Sequence, residues 1–265
     1  MEKTPTFLKN WTPEDAEFWE AKGKYIAWRT LWVTTIALTL SFATWFMVSA
    51  IVVKLPGIGF KFTTNELFWL AAMPGLAAGT FRVIHTFLLP MYGTRHVVTY
   101  ATLIKLIPCI GFGFAVMNPS TPYWFFIVLA ITAGFGGGDF SSFMPSTNLF
   151  FPKRLKGTAL GIQAGIGNFG VSLAQFMTPA LLSIPIYGAA QTFTKLSDTS
   201  AIYVQNAAFW YIPLLLIMTL VCWRMLRSIP LKASFSEQLD IFKNKHTWFC
   251  TITYVMTFGT FSGLK

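Results

Sequence analysis

An arginine lies deep inside an apolar segment of membrane length, where its side chain could bind an anion. Arg82 belongs to the run AAMPGLAAGTFRVIHTFLLP, which ends shortly before Gly93. At about 1.5 Å per residue, Arg82 lies roughly 16 Å from Gly93, near the middle of a bilayer. A charge at this depth costs several kcal/mol and needs a counter-charge or a cavity. We interpret Arg82 as an anion ligand, with an ion pair to Asp139 as the structural alternative.

A second apolar segment carries a stripe of small and polar residues at helical spacing. Its members are Gly161, Gly165, Asn168, Ser172 and Gln175, which recur every three or four residues. Asn168 lies roughly 15 Å into the segment, at the depth of Arg82. Small residues let helices approach closely, and a polar residue at this depth needs a partner. We interpret Asn168 as a ligand and Gly161 and Gly165 as packing or pathway residues; a structural hydrogen bond between helices is the alternative for Asn168.

Three aromatic residues lie at a similar depth in two other segments. Phe140 is roughly 19 Å from the charged end of its segment, and Tyr254 and Phe258 are roughly 11 and 17 Å from theirs. Gly137 and Gly138 directly precede this part of the Phe140 segment and would allow tight helix packing. Aromatic rings could hold a flat anion on both faces while an arginine binds its oxygens.

Further ionisable residues accompany this set. Asp139 and His85 are the residues at membrane depth that could carry a proton. An ion pair of Asp139 with Arg82 or Lys105 is the alternative. Lys105 lies roughly 12 Å into its segment, so we expect its ammonium group to snorkel to the cytoplasmic face.

The composition predicts an all-α polytopic membrane protein. Of 265 residues, 54% are hydrophobic and 11% charged, whereas soluble domains carry about 25% charged residues. The net charge of +10 is explained by basic loops on one side of a membrane rather than by nucleic-acid binding. The chain has no P-loop, nucleophile elbow or metal-ligand spacing, so we expect no enzyme, cofactor or metal.

Seven apolar segments give the predicted organisation. Lys and Arg concentrate in the N-terminal tail and in the second, fourth and sixth loops, which places the N-terminus in the cytoplasm and the chain in the cell membrane. The segments are 30–53, 66–90, 97–117, 123–150, 158–183, 207–227 and a last one, 247–265. The divisions are an N-terminal segment 1–29 with an interfacial helix, six spans in 30–227, a cytoplasmic loop 228–246, and the seventh span.

Two segments resemble the nitrate signature pair of the nitrate/nitrite porters, which belong to the major facilitator superfamily. They read GFGGGDFSSFMPSTNLFFPK and KGTALGIQAGIGNFGVS. The loop PMYGTRH resembles a reduced form of the superfamily's loop motif, and WTPEDAEFWEAKGKYIAWRTLW is similar to the porters' N-terminal entry. The resemblance covers about residues 11 to 262.

The resemblance implies two six-helix halves around a central anion site, of which this chain contains the first half and the start of the second. Arg82 then corresponds to the first-half arginine that holds nitrate, Phe140 and Phe258 to the aromatic pair around it, and Asn168 and Tyr254 to its polar contacts. The second arginine of the family lies beyond this chain. Asp139 and Lys105 are charges that not all members carry, which leaves the coupling mode open.

The leading hypothesis is a nitrate/nitrite transporter that works by alternating access, coupled either to protons or to nitrite exchange. Its expected partners are nitrate, nitrite, protons and the lipid bilayer, and the complete protein is expected to be a monomer. The alternatives are a porter for another small anion and a non-transporting or regulatory half-protein. A membrane enzyme built on His85 and Asp139 is a distant third, because no nucleophile or metal-ligand set accompanies them.

Overall fold

The computed structural model describes residues 7–195, 198–229 and 240–263. The chain divides into two compact units, residues 1–230 and 231–265. The division falls inside the predicted cytoplasmic loop, residues 228–246. The helices of the first unit are α1 Ala16–Phe18, α2 Lys24–Val52, α3 Thr64–Ile104, α4 Leu106–Ala115, α5 Tyr123–Ala133, α6 Phe135–Gly138, α7 Phe140–Phe150, α8 Lys153–Leu182, α9 Asn206–Phe209 and α10 Tyr211–Met225.

The long apolar helices confirm an all-α polytopic membrane protein. Among the described residues, four helical stretches are long and apolar enough to cross a bilayer: 16–52, 64–115, 123–150 and 206–225. The second is 52 residues long and leaves helical geometry at Gly93 (φ 75°, ψ 163°). This break separates the predicted spans 66–90 and 97–117, and glycine adopts its left-handed φ without a Cβ clash. Helix α8 has 30 residues, but its glycines and polar side chains lower its hydropathy below that of the four stretches.

Helix α2 is the element against which the glycine-rich segments pack. A Cβ added at Gly170 of α8 would lie 2.0 Å from the carbonyl oxygen of Thr39. A Cβ at Gly136 of α6 would lie 2.2 Å from the carbonyl oxygen of Ser41. These glycines therefore allow two helices to contact the α2 backbone directly, as small residues do in membrane interiors.

The N-terminal segment forms part of the buried structure. Asp15 caps the first helical turn by accepting a hydrogen bond from the backbone N–H of Glu17 at 3.0 Å. Trp19 is buried and its ring lies 5.9 Å from that of Phe151. Trp19 thus packs on the protein, and the interfacial position of this segment stays a prediction.

A pair of β-strands and one further helix remain to be described. The loop between α8 and α9 carries an antiparallel hairpin, β1 Gln191–Lys195 and β2 Asp198–Ile202, which the sequence did not predict. In the second unit, helix α11, Lys245–Gly263, covers most of the predicted span 247–265.

Candidate functional site

Arg82 is held against the polypeptide turn that joins α6 to α7. Its Nε donates a hydrogen bond to the carbonyl oxygen of Gly137 at 3.0 Å. Its guanidinium carbon lies 5.4 Å from the centre of the Phe140 ring. Both side chains are half-buried. The structure therefore brings together two of the predicted site residues, a cation with a planar donor set and an aromatic face.

Glycines set the distance between α3 and α6. A Cβ added at Gly137 would lie 2.6 Å from the Cβ of Ala78, and one at Gly138 would lie 2.7 Å from the Cβ of Phe81. Larger residues at these positions would push α3 away, and Arg82 with it. Gly137 and Gly138 thus lie at a tight contact between α6 and α3, and their role in a transport pathway stays a prediction.

A buried ion pair lies directly behind this contact. Asp139 and Lys105 are both fully buried, and the Lys105 ammonium group donates to Oδ2 of Asp139. Lys105 also donates to the carbonyl oxygen of Ala101 at 2.6 Å. The expectation that Lys105 snorkels to the surface is wrong. The lysine is buried because the α3–α4 junction lies against the turn that carries Asp139, so that its charge finds a partner in the protein interior.

Two further side chains complete the surroundings of Asp139. Ser41 of α2 donates to Oδ2 at 2.6 Å. His85 of α3 has its Nδ1 3.7 Å from Oδ1 and 2.9 Å from the hydroxyl of Ser142. Among the described residues, Oδ1 accepts no hydrogen bond. The two predicted proton carriers, Asp139 and His85, are therefore neighbours.

The residues of the predicted stripe on helix α8 have different surroundings in the structure. Asn168 is half-buried, and its side-chain amide donates to the carbonyl oxygen of Ala164 in the same helix at 2.7 Å. A Cβ added at Gly161 or Gly165 would meet nothing within 4 Å among the described residues. These two glycines therefore border open space in this unit, and their predicted role in packing or in a pathway stays a prediction.

Two polar residues near the site were missed in the sequence. Ser41 donates a hydrogen bond to Asp139. Gln163 donates from Nε2 to the Thr34 hydroxyl at 3.0 Å and to the Phe143 carbonyl at 3.3 Å. Gln163 is fully buried and connects α8 to α2 and α7. The sequence signal for Gln163 was a glutamine within an apolar segment, at a position outside the glycine stripe. Ser41 on its own gives no such signal.

The remaining predicted residues belong to the second unit. Tyr254 lies on α11 with 38% of its surface exposed, beside Cys250 and Thr251 along a surface groove. The side chain of Phe258 lies outside the described residues. The contribution of both residues to a site with Arg82 stays a prediction.

The fold and this site together define a helical membrane protein whose interior presents a cation and an aromatic ring beside a compensated ion pair. No family model matches the chain. Over 98% of its length it is 56% identical to a Thermus thermophilus protein named probable nitrate/nitrite antiporter NarK2. Over 97% it is 40% identical to nitrate/nitrite transporter NarU of Escherichia coli strain K12.

These similarities show that the chain belongs to the nitrate/nitrite porter family of the major facilitator superfamily. The resemblance predicted from the two glycine-rich motifs is thereby confirmed. The chain spans 59% of the Thermus protein and 56% of the Escherichia coli protein.

Proposed function

We propose that this protein transports nitrate and nitrite across the cell membrane by alternating access. The observation that carries the proposal is the placement of the Arg82 guanidinium 5.4 Å from the Phe140 ring, beside glycine-lined helix contacts. The relatives' names, which include a nitrate/nitrite antiporter and a nitrate/nitrite transporter, support the same substrates.

Nitrate and nitrite are small, planar and singly charged, and the site offers groups that match these properties. A guanidinium group can donate two parallel hydrogen bonds to two oxygens of one anion. The Phe140 ring offers a flat surface beside that donor set. In this proposal Asn168 is a further ligand of the anion, Tyr254 and Phe258 keep the roles that the resemblance predicts, and the glycines at positions 137, 138, 161 and 165 line or shape the pathway.

The coupling mode has two forms within this proposal. In the first, nitrate enters as nitrite leaves, which fits the name of the Thermus relative. In the second, a proton accompanies nitrate, and Asp139 with His85 at 3.7 Å is the group that could take it up. Nitrate flux into proteoliposomes, with and without a pH gradient and with and without internal nitrite, separates the two. Exchange requires internal nitrite, whereas symport requires the gradient.

The site is tested by replacing Arg82 with lysine, which keeps the charge but removes the planar donor set. Losing one charge-assisted hydrogen bond costs about 1.5–3 kcal/mol, so nitrate uptake or affinity should fall roughly 10-fold to 100-fold. Arg154→Lys is the matched control, because Arg154 lies exposed in the first turn of α8. Normal nitrate transport by the Arg82→Lys protein would show that the site is assigned wrongly.

A related porter for another small anion is the second candidate. The observation that leaves it open is the site's chemistry, since a guanidinium group and an aromatic ring also suit other small monovalent anions. Competition of unlabelled anions against labelled nitrate measures the preference. If another anion displaces nitrate at much lower concentration than nitrite does, the substrate assignment changes while the site assignment stands.

A further inference from the structure

The buried ion pair and the candidate anion site share one turn of the chain. Gly137 accepts a hydrogen bond from Arg82, Asp139 pairs with Lys105, and Phe140 faces the Arg82 guanidinium. Gly137, Asp139 and Phe140 lie within four consecutive positions of the chain. The turn therefore has one side toward the anion site and one side toward the ion pair. Any displacement of Asp139 therefore moves both the Gly137 carbonyl group and the Phe140 ring.

The carboxylate in this turn is anchored from two sides. Ser41 of α2 donates to Oδ2 at 2.6 Å, and Lys105 donates to the same oxygen from the end of α3. Asp139 thus connects the turn to both helices that pack on it. A neutral residue could not accept such strong charge-assisted hydrogen bonds from a lysine.

An anchored carboxylate so close to an anion site would by itself weaken anion binding. Two like unit charges about 10 Å apart, at an effective dielectric constant of about 20, change a binding constant by roughly tenfold or more. Lys105 cancels this repulsion because its ammonium group contacts the carboxylate directly. A buried ion pair adds little net free energy of folding. We therefore attribute to this pair the placement of the turn and the compensation of the Asp139 charge.

We propose that Lys105 and Asp139 are positioning residues of the anion site: Asp139 fixes the Gly137–Phe140 turn, and Lys105 compensates its charge so that the anion is not repelled. This inference rests on the proposed transport of nitrate and nitrite. It assigns to Lys105 no contact with the anion. It also gives Asp139 a role in which its charge stays constant during transport.

The test measures the nitrate affinity of the purified complete protein. The variants are Lys105→Met, Asp139→Asn and the double variant, with Lys24→Met as control because Lys24 forms an exposed pair with Glu20 at 3.4 Å. The charged or titratable side chains of the described residues that lie around Asp139 include His85, Lys105 and Arg82.

Lys105→Met should bind nitrate at least tenfold more weakly than the unmodified protein, because the carboxylate of Asp139 is then uncompensated. The double variant should bind within about threefold of the unmodified protein, since it has neither charge and the asparagine side chain can still accept the hydrogen bond from Ser41. A purely structural role for the pair would instead make the double variant bind nitrate at least as weakly as Lys105→Met does.

Thermal unfolding in detergent identifies any variant that does not fold. If Lys105→Met fails to fold, Asp139→Asn and the double variant decide the question. Asp139→Asn, which leaves Lys105 uncompensated, should then bind nitrate more tightly than the double variant does. A folded double variant that has lost nitrate binding overturns the inference. An unmodified protein that binds no nitrate instead overturns the proposed function.

Discussion

Replacing Gly136 with alanine should separate two helices and damage the candidate site indirectly. The added Cβ would lie 2.2 Å from the carbonyl oxygen of Ser41 and 3.2 Å from the Cβ of Trp45. A carbon and a carbonyl oxygen normally approach no closer than about 3.3 Å. Helices α2 and α6 must therefore separate by about 1 Å. The atom in the way belongs to the backbone, so no side-chain rotation can relieve the clash.

Two effects of Gly136→Ala lower the free energy of unfolding, and a third partly offsets them. Overpacking of this kind costs about 1–3 kcal/mol. The displacement also weakens the hydrogen bond from the Ser41 hydroxyl to Asp139, now 2.6 Å long, and bonds to charged groups contribute about 1.5–3 kcal/mol. Alanine regains about 0.5–1 kcal/mol over glycine in a helix. The net loss should be about 2–4 kcal/mol, or about 5–15 °C in the unfolding midpoint.

Thermal unfolding of the purified protein in detergent measures this loss directly. Gly157→Ala is the matched control, because the same added Cβ would meet nothing within 4 Å. The control should unfold within about 2 °C of the unmodified protein, at the same or a slightly higher temperature. Equal midpoints for Gly136→Ala and Gly157→Ala would refute the close approach of α6 to the α2 backbone.

Two further changes test the fold around the site. Gly93→Ala should lower the unfolding midpoint by several degrees, because φ is 75° and the new Cβ would lie 2.7 Å from the Ser228 side chain. An unchanged midpoint would argue against the break in α3 at this residue. Gln163→Ala should lower the free energy of unfolding by about 1–3 kcal/mol, because it removes the donor to Thr34 and to the Phe143 carbonyl. Gln175→Ala, at an exposed position of the same helix, should change the unfolding midpoint by less than about 2 °C. Equal effects of these two changes would contradict the buried connection of α8 to α2 and α7 through Gln163.

The helical membrane fold could be predicted from the sequence because its signal is local. Apolar length fixes where a helix can cross a bilayer, and the structure places helices over all seven predicted segments. The break at Gly93 falls in the loop predicted between 66–90 and 97–117. The breaks within a segment were not predicted: the turns at Gly134 and Asp139 that divide the fourth segment depend on what packs against that helix.

The site was predictable in part, for the same reason. Depth counting placed Arg82 and Phe140 at one level, and the structure brings them together. It failed for Lys105, because depth alone cannot tell a snorkelling lysine from one whose partner lies on another helix. That partner, Asp139, is 34 residues further along the chain. Only the packing of α3 on α6 brings the two charges together.

The balance of charge deep in the helices bears on how an anion could move through the protein. Lys105 and Asp139 cancel each other by direct contact, so these two residues and Arg82 together carry one formal positive charge. In the proposed transporter, a singly charged anion bound at Arg82 brings that sum to zero, which lowers the cost of holding charge at membrane depth. Nitrite carries the same charge as nitrate and would take its place without changing that sum. A proton taken up by Asp139 would instead leave Lys105 uncompensated. Within the proposed function, the charge arrangement therefore favours exchange of the two anions over proton symport, and the flux measurements with internal nitrite test that preference.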